Sequence, residues 1–204
     1  MADLKKEIPR KLFHIVSGLS FLVILELFGK EGVLITSAVG IAVGVGVFYF
    51  GVRNWLTNIL WFFIDKMERE DNLKTFPGRQ AVGSLIGIFI SGILFNEDVL
   101  KIVIITYSVY DGFATIFGLL FGKHKIGFGK YRLKKSYEGF LGGVIVNTLA
   151  LLFVLPFKEA FIFSLVGGIF ELFSSSKKLY LDDNIIVPLG TGIFAQFIYP
   201  NLTL

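Results

Sequence analysis

The sequence predicts an all-α, polytopic integral membrane protein of about seven transmembrane helices, on three observations. Of its 204 residues, 54% are hydrophobic and 18% are charged, with a mean hydropathy of +0.72, whereas an ordinary soluble domain carries about 25% charged residues. A 22.8 kDa globule could not hide so much apolar side chain from water. The apolar residues come in helix-length runs, not in the alternating segments of about ten residues that a membrane β-barrel needs. The basic residues, thirdly, gather in alternate connections. Cysteine is absent, which removes thiol nucleophiles, disulfides and thiolate-bound zinc. The same composition excludes disorder, collagen and a disulfide-stapled secreted domain.

Crossing the hydrocarbon takes about 20 mostly apolar helical residues. The first run, 12–28, follows a basic stretch in which Pro9 suits the first turn of a helix. No small-residue cleavage site follows Leu27-Phe28-Gly29, so the run is expected to be a retained helix and not a signal peptide. The second run is 33–52. The apolar segment 55–64 is too short to span and is interfacial or a continuation of the second helix. The third to seventh runs are 80–95, 99–121, 139–155, 158–173 and 184–199, of which the third, sixth and seventh are short. Ser136 is placed to cap the start of the fifth. No internal repeat or second domain is visible, so residues 1–204 read as a single transmembrane catalytic domain.

Orientation follows from charge. Lys5, Lys6, Arg10 and Lys11 precede the first run; Arg53, Lys66, Arg69, Lys74 and Arg79 lie after the second. Lys123, Lys125, Lys130, Arg132, Lys134 and Lys135 lie after the fourth, and Lys177 and Lys178 after the sixth, so that 17 of the 20 basic residues share one side. Only Lys30, Lys101 and Lys158 fall on the other. Basic loops stay cytoplasmic, which puts the N-terminus inside and the C-terminus outside. The net charge of +4 therefore belongs to cytoplasmic loops; no basic-aromatic surface suggests nucleic acid.

Ionisable residues within membrane helices are costly and point to function. Glu7, Arg10, Lys11 and His14 share one helical stripe as the chain enters the bilayer. Arg10 and Lys11 fit a topology signal and lipid headgroups; Glu7 and His14 are not explained that way. Asp111 lies inside the fourth run, about 18 Å from its cytoplasmic end at 1.5 Å per residue. Ala114, Gly118 and Gly122 continue its face as a small-residue packing surface. The segment Lys134-Lys135-Ser136-Tyr137-Glu138-Gly139 joins cations to a helix N-terminus, an anion site in chemistry, although a polybasic loop on anionic lipid would look the same. No Walker A spacing occurs. Glu171, Asp182, Asp183 and Asn184 offer hard oxygen ligands suited to Mg²⁺, with helix capping as the competing use. Acids for a metal and bases for phosphates thus face the cytoplasm, a combination suited to transfer from a nucleoside triphosphate to something dissolved in the bilayer.

At these residues the sequence resembles the CTP-dependent lipid kinases: dolichol (polyprenol) kinase, phytol kinase and the CTP-using diacylglycerol kinase, distant relatives of phosphatidate cytidylyltransferase. The matching pieces are Glu7-x-x-Arg10-Lys11-x-x-His14, Thr75-Phe76-Pro77-Gly78 with Gly83, Asp111-Gly112-x-Ala114 with Gly118 and Gly122-Lys123, Lys135-Ser136-x-Glu138-Gly139, and Glu171 followed by Asp182-Asp183-Asn184 and Pro188. The resemblance implies a catalytic core that phosphorylates an isoprenoid or lipid alcohol with CTP and Mg²⁺. Asp111, Asp182 and Asp183, helped by Glu171, would hold the metal. Lys123, Lys134, Lys135, Ser136, Glu138, Gly139 and Asn184 would hold nucleotide or phosphate. Asp111, His14 and Asp183 would be catalytic, a carboxylate or His14 taking the hydroxyl proton. The lipid would approach near Glu7, Arg10, Lys11 and His14. The expected partners are the lipid alcohol, a nucleoside triphosphate and a cell or endoplasmic-reticulum-type bilayer, with a homodimer left open. Two alternatives stand beside this: a cytidylyltransferase making a CDP-activated lipid, and an ion or solute transporter lined by Asp111 and Glu171.

Overall fold

The computed structural model describes residues 4–68, 70–128, 131–174 and 182–199, with backbone alone at 5, 70, 71, 128 and 131–134. Helix α1 (Leu4–Gly44) runs into a π-helical turn over Val45–Tyr49. Gly29 interrupts α1 with φ 63° and ψ −169°, a backbone shape that a Cβ resists and glycine adopts freely. The chain reverses there. The first arm packs along residues 97–112, with Lys11 at Asp111 and Glu26 at Lys101. The second packs along α4 (Arg79–Leu94), with Gly40 against Leu85 and Gly44 against Val82. The predicted runs 12–28 and 33–52 are therefore two antiparallel arms joined at one glycine. Gly51, also at positive φ, ends the second arm. Segment 55–64 is thus not a continuation of that arm; it leads into a separate helix, α2 (Asn58–Met67), followed by α3 (Glu70–Thr75).

Helix α5 (Glu97–Ile105), a π-helical stretch over Thr106–Tyr110 and α6 (Asp111–Leu120) form one leg. Asn96 starts it, its side chain accepting from the Val99 N–H at 2.9 Å, a standard helix cap. Helices α7 (Tyr137–Leu151), α8 (Phe157–Phe173) and α9 (Asp183–Ile198) complete the bundle. The small-residue face expected after Asp111 is used for close packing: a Cβ on Gly139 of α7 would stand 2.6 Å from the Ala114 carbonyl oxygen of α6. Asn147 on α7 donates to Ser164 on α8 at 2.9 Å, so α7 and α8 are also antiparallel. Helix α9 returns parallel to α4, with Asn184 near Ser84 and Gly192 near Phe95. Among the described residues, seven apolar helical legs thus alternate in direction, in the order of the seven predicted runs.

Two stretches, Lys6–Tyr49 and Glu97–Leu120, are long and apolar enough to cross a membrane by length and composition. The outer surface matches them. Leu141, Ile145 and Leu149 make an exposed stripe on α7, as do Val16, Val23 and Leu27 on α1; water rarely tolerates apolar patches of this extent. The interior holds Phe21, Leu25, Leu100 and Ile104 around Tyr107, and Val99, Val103, Leu151 and Phe163 on the other side of the same leg.

The chain is all-α, with one short hairpin in a connection. Strand β1 (Lys125–Phe128) pairs antiparallel with β2 (Tyr131–Ser136), Gly127 opposite Arg132, where the sequence predicts a polybasic loop. The alternation Lys-Ile-Gly-Phe, with Ile126 buried, suits a strand, but four residues among lysines are too short a signal to stand out.

Candidate active site

The centre is built where the first turns of α1 meet the π-helical stretch before α6. A π turn carries an extra residue and recurs at functional sites because it re-aims side chains. Here it ends at Asp111, which is 2% exposed. Lys11, itself 4% exposed, donates from Nζ to Asp111 Oδ2 at 2.5 Å. His14 Nε2 lies 3.4 Å from the same oxygen. The second oxygen of Asp111, Oδ1, is buried and has no hydrogen-bond partner among the described residues. A buried carboxylate oxygen ordinarily has one, so this atom is free for a ligand from outside the protein. Close approach of the two helices depends on Gly112, whose Cβ would collide with Ile15.

The start of α9 arrives beside this pair. Asp182 caps the helix, its Oδ1 accepting from Asn184 N at 3.1 Å and Nδ2 at 2.6 Å. Burial, and then the neighbouring Asp183 charge, push the Asp182 carboxyl above the usual carboxylate range. Asn184 is fixed from the far side as well: Tyr107 Oη and Ser84 Oγ each donate to its Oδ1 at 3.2 Å. Tyr107 Oη also lies 3.3 Å from His14 Nδ1, so a chain of polar contacts runs from His14 to Asp182. Asp183 lies within electrostatic reach of Lys11, Lys135 and His14. Lys135 in turn forms an ion pair with Glu171, which is 3% exposed. Two lysine–carboxylate pairs therefore flank Asp183.

The structure brings some of the residues singled out by the sequence together. His14, Asp111, Lys135, Glu171, Asp182, Asp183 and Asn184, spread over 170 positions, come together at one end of the bundle. The four carboxylates do not form one metal-binding set: among the described residues no three His, Asp or Glu side chains gather to hold an ion, because Glu171 is answered by Lys135 and Asp182 by Asn184. Asp111 and Asp183 remain as the pair facing the same lysine. Ser136 caps α7, accepting from Gly139 N at 3.2 Å. Glu138 turns away to His124 Nδ1 at 2.6 Å, and Lys123 is exposed. The Lys134 side chain and residues 175–181 lie outside the described residues. Arg10 pairs with Glu7 and donates to Gln80 Oε1 at 2.7 Å. Lys11 is a correction: expected at the lipid headgroups, it is buried against Asp111. Tyr107, Ser84 and Gln80 were not singled out by the sequence; Tyr107, four residues before Asp111, carried the one available signal.

A cavity of about 250 Å³ opens from this cluster. Lys11, His14, Ser84, Asp183 and Asn184 line one part of it; Phe13, Phe21, Phe63, Met67, Leu85 and Ile88 line much of the rest, with Arg10, Glu68 and Gln80 also on the wall. Such a shape takes a molecule with one polar head and an apolar body.

No protein-family model and no solved structure matches the chain. Among curated proteins it is similar to a probable chloroplastic phytol kinase of Zea mays, 23% identical over 216 residues that cover 97% of this chain and 69% of that one.

Proposed function

We propose that this chain is a membrane-embedded lipid-alcohol kinase, moving the γ-phosphate of a nucleoside triphosphate, CTP by preference, onto an isoprenoid alcohol of the phytol or polyprenol type. One observation carries the proposal. Lys11, held by the buried Asp111, lines a cavity together with His14 and Asp183, and much of the remaining wall is apolar. The similarity to a phytol kinase over almost the whole chain supports it. The seven legs cross the bilayer, the N-terminus and the site lie on the cytoplasmic side, and the exposed aliphatic stripes meet lipid.

Asp111 and Asp183 fit a Mg²⁺ ion, which commonly takes one or two carboxylates together with substrate phosphates; the partnerless Asp111 Oδ1 is the available ligand atom. That ion would neutralise charge on the triphosphate. Lys11 and Lys135 exchange their carboxylates for phosphate oxygens, so cations already buried in the fold are ready for an incoming anion. Ser84, Tyr107 and Asn184 fix the end of the cavity where the acceptor hydroxyl rests. His14 takes the hydroxyl proton as the new oxygen–phosphorus bond forms; the bond from the γ-phosphorus to the bridging oxygen breaks, and the nucleoside diphosphate leaves. Such transfer is mostly positioning and charge neutralisation.

Purified protein with Mg²⁺, phytol or geranylgeraniol, and CTP labelled at either the γ- or the α-phosphorus tests this. Label is expected in the lipid from γ-labelled CTP alone. Transfer of the α-label would mean a cytidylyltransferase, and transfer of neither would end the kinase proposal.

A further inference from the structure

The cavity has a side as well as an end. Its outer rim is formed by Phe13 of α1 and Phe63 of α2, whose rings stack 5.4 Å apart at 22°. Phe13 is 43% exposed and lies one turn before Val16, in the apolar stripe of the first arm. Helix α2 is fastened away from the rim. Its Trp61 donates from Nε1 to the Val52 carbonyl at 2.8 Å and meets Phe48 edge-on, and Arg53 lies 4.1 Å over the Trp61 ring. On its outer side Ile59 and Phe62 are exposed, continuing from Trp55 at 82% exposure, while Arg53 and Lys66 flank them. Exposed apolar and aromatic side chains beside cations are the mark of a helix lying at a membrane surface.

Resting on the lipid-alcohol reading, we infer that the Phe13–Phe63 stack is a lateral portal. The hydrocarbon tail of the acceptor passes between these rings from the inner leaflet into the cavity, while α2 stays anchored at Trp61. The chemistry favours a tail over a nucleotide. The rim offers Phe13, Phe63, Ile64 and Met67, and the lining cations Arg10 and Lys11 are each already held by a carboxylate, Glu7 and Asp111. A tail arriving this way delivers its hydroxyl head to His14 and Asp183 without leaving lipid. Two facing rings close such an opening without locking it.

The absence of native cysteine gives the test a clean background. The double variant Phe13→Cys/Phe63→Cys is bridged with a short bis-methanethiosulfonate and placed in phosphatidylcholine–phosphatidylglycerol vesicles containing phytol. Phytol retained by the washed protein is read by mass spectrometry. Bridging is expected to cut uptake roughly tenfold or more, as closing a substrate gate does, and dithiothreitol is expected to restore it. Equal uptake by bridged and reduced protein, no phytol in either, or retention of phospholipid in its place would overturn the portal. Phe13→Leu/Phe63→Leu, apolar but without the stack, should load phytol faster than wild type; slower loading counts against the portal. Because uptake is read without turnover, gated uptake with no γ-label transfer would sink the kinase reading and leave the portal standing.

Discussion

Asp111→Asn is expected to lower γ-phosphate transfer by about 10³-fold, the scale of losing one preorganised electrostatic group at a reacting centre. The amide has nearly the shape of the carboxylate and still offers an oxygen to Lys11 Nζ, now 2.5 Å from Asp111 Oδ2. Packing around Gly112 and Ile15 is therefore kept. What disappears is the charge that balances Lys11 and that, on the proposed reading, would hold a divalent ion. Turnover at saturating CTP and Mg²⁺, followed beside the thermal unfolding midpoint in detergent, separates the two effects. The expected result is near-complete loss of transfer with a smaller loss of stability. Wild-type turnover would show that Asp111 is a structural counter-ion alone.

Lys11→Met should damage both properties. Removing one partner of a buried ion pair leaves an uncompensated charge and costs about 3–5 kcal/mol, and Asp111 at 2% exposure has no water to turn to. The double variant Lys11→Met/Asp111→Asn removes both charges and should regain most of the lost stability, because a neutral buried pair is often no worse than an ionic one. On the proposed roles of Asp111 at the metal and Lys11 at phosphate, transfer should stay absent. This cycle isolates the pair's own coupling. Recovery of turnover together with stability would mean that the ion pair serves the fold and not the reaction. Lys11→Arg is expected to fail as well, because a planar fork does not replace a compact ammonium in a closed site.

Much of this was legible from residue patterns. Apolar runs of helical length marked out the seven legs, the alternation of lysine and arginine between connections supported that count, and the glycine between the first two legs is the point of reversal. Asp111 and His14 stood out because charge in an apolar helix needs a reason, Lys135 because it adjoins a helix N-terminus, and Asp183 because it is paired with Asp182. Lys11 misled for a physical cause: lysines at helix ends usually run their stems along apolar surface toward water, and its true partner is 100 positions away. Tyr107, Ser84 and Gln80 are uncharged polar residues of a kind found throughout such bundles. Only the rotation of each helix, set by packing at Gly18, Gly87 and Gly112, shows that they meet. Glu138 belongs to the matching motif yet faces His124, which spacing along the chain could not reveal.

Asp111 and Asp183, from different helices, are proposed to serve one ion beside a triphosphate. Mn²⁺ suits the same oxygen ligands as Mg²⁺ and reports its own binding by electron paramagnetic resonance. Titrated into purified protein with CTP, it should fill one site per chain, and that site should be lost in Asp111→Asn and in Asp183→Asn alike. A bound Mn²⁺ that survives either substitution unchanged would contradict a shared centre.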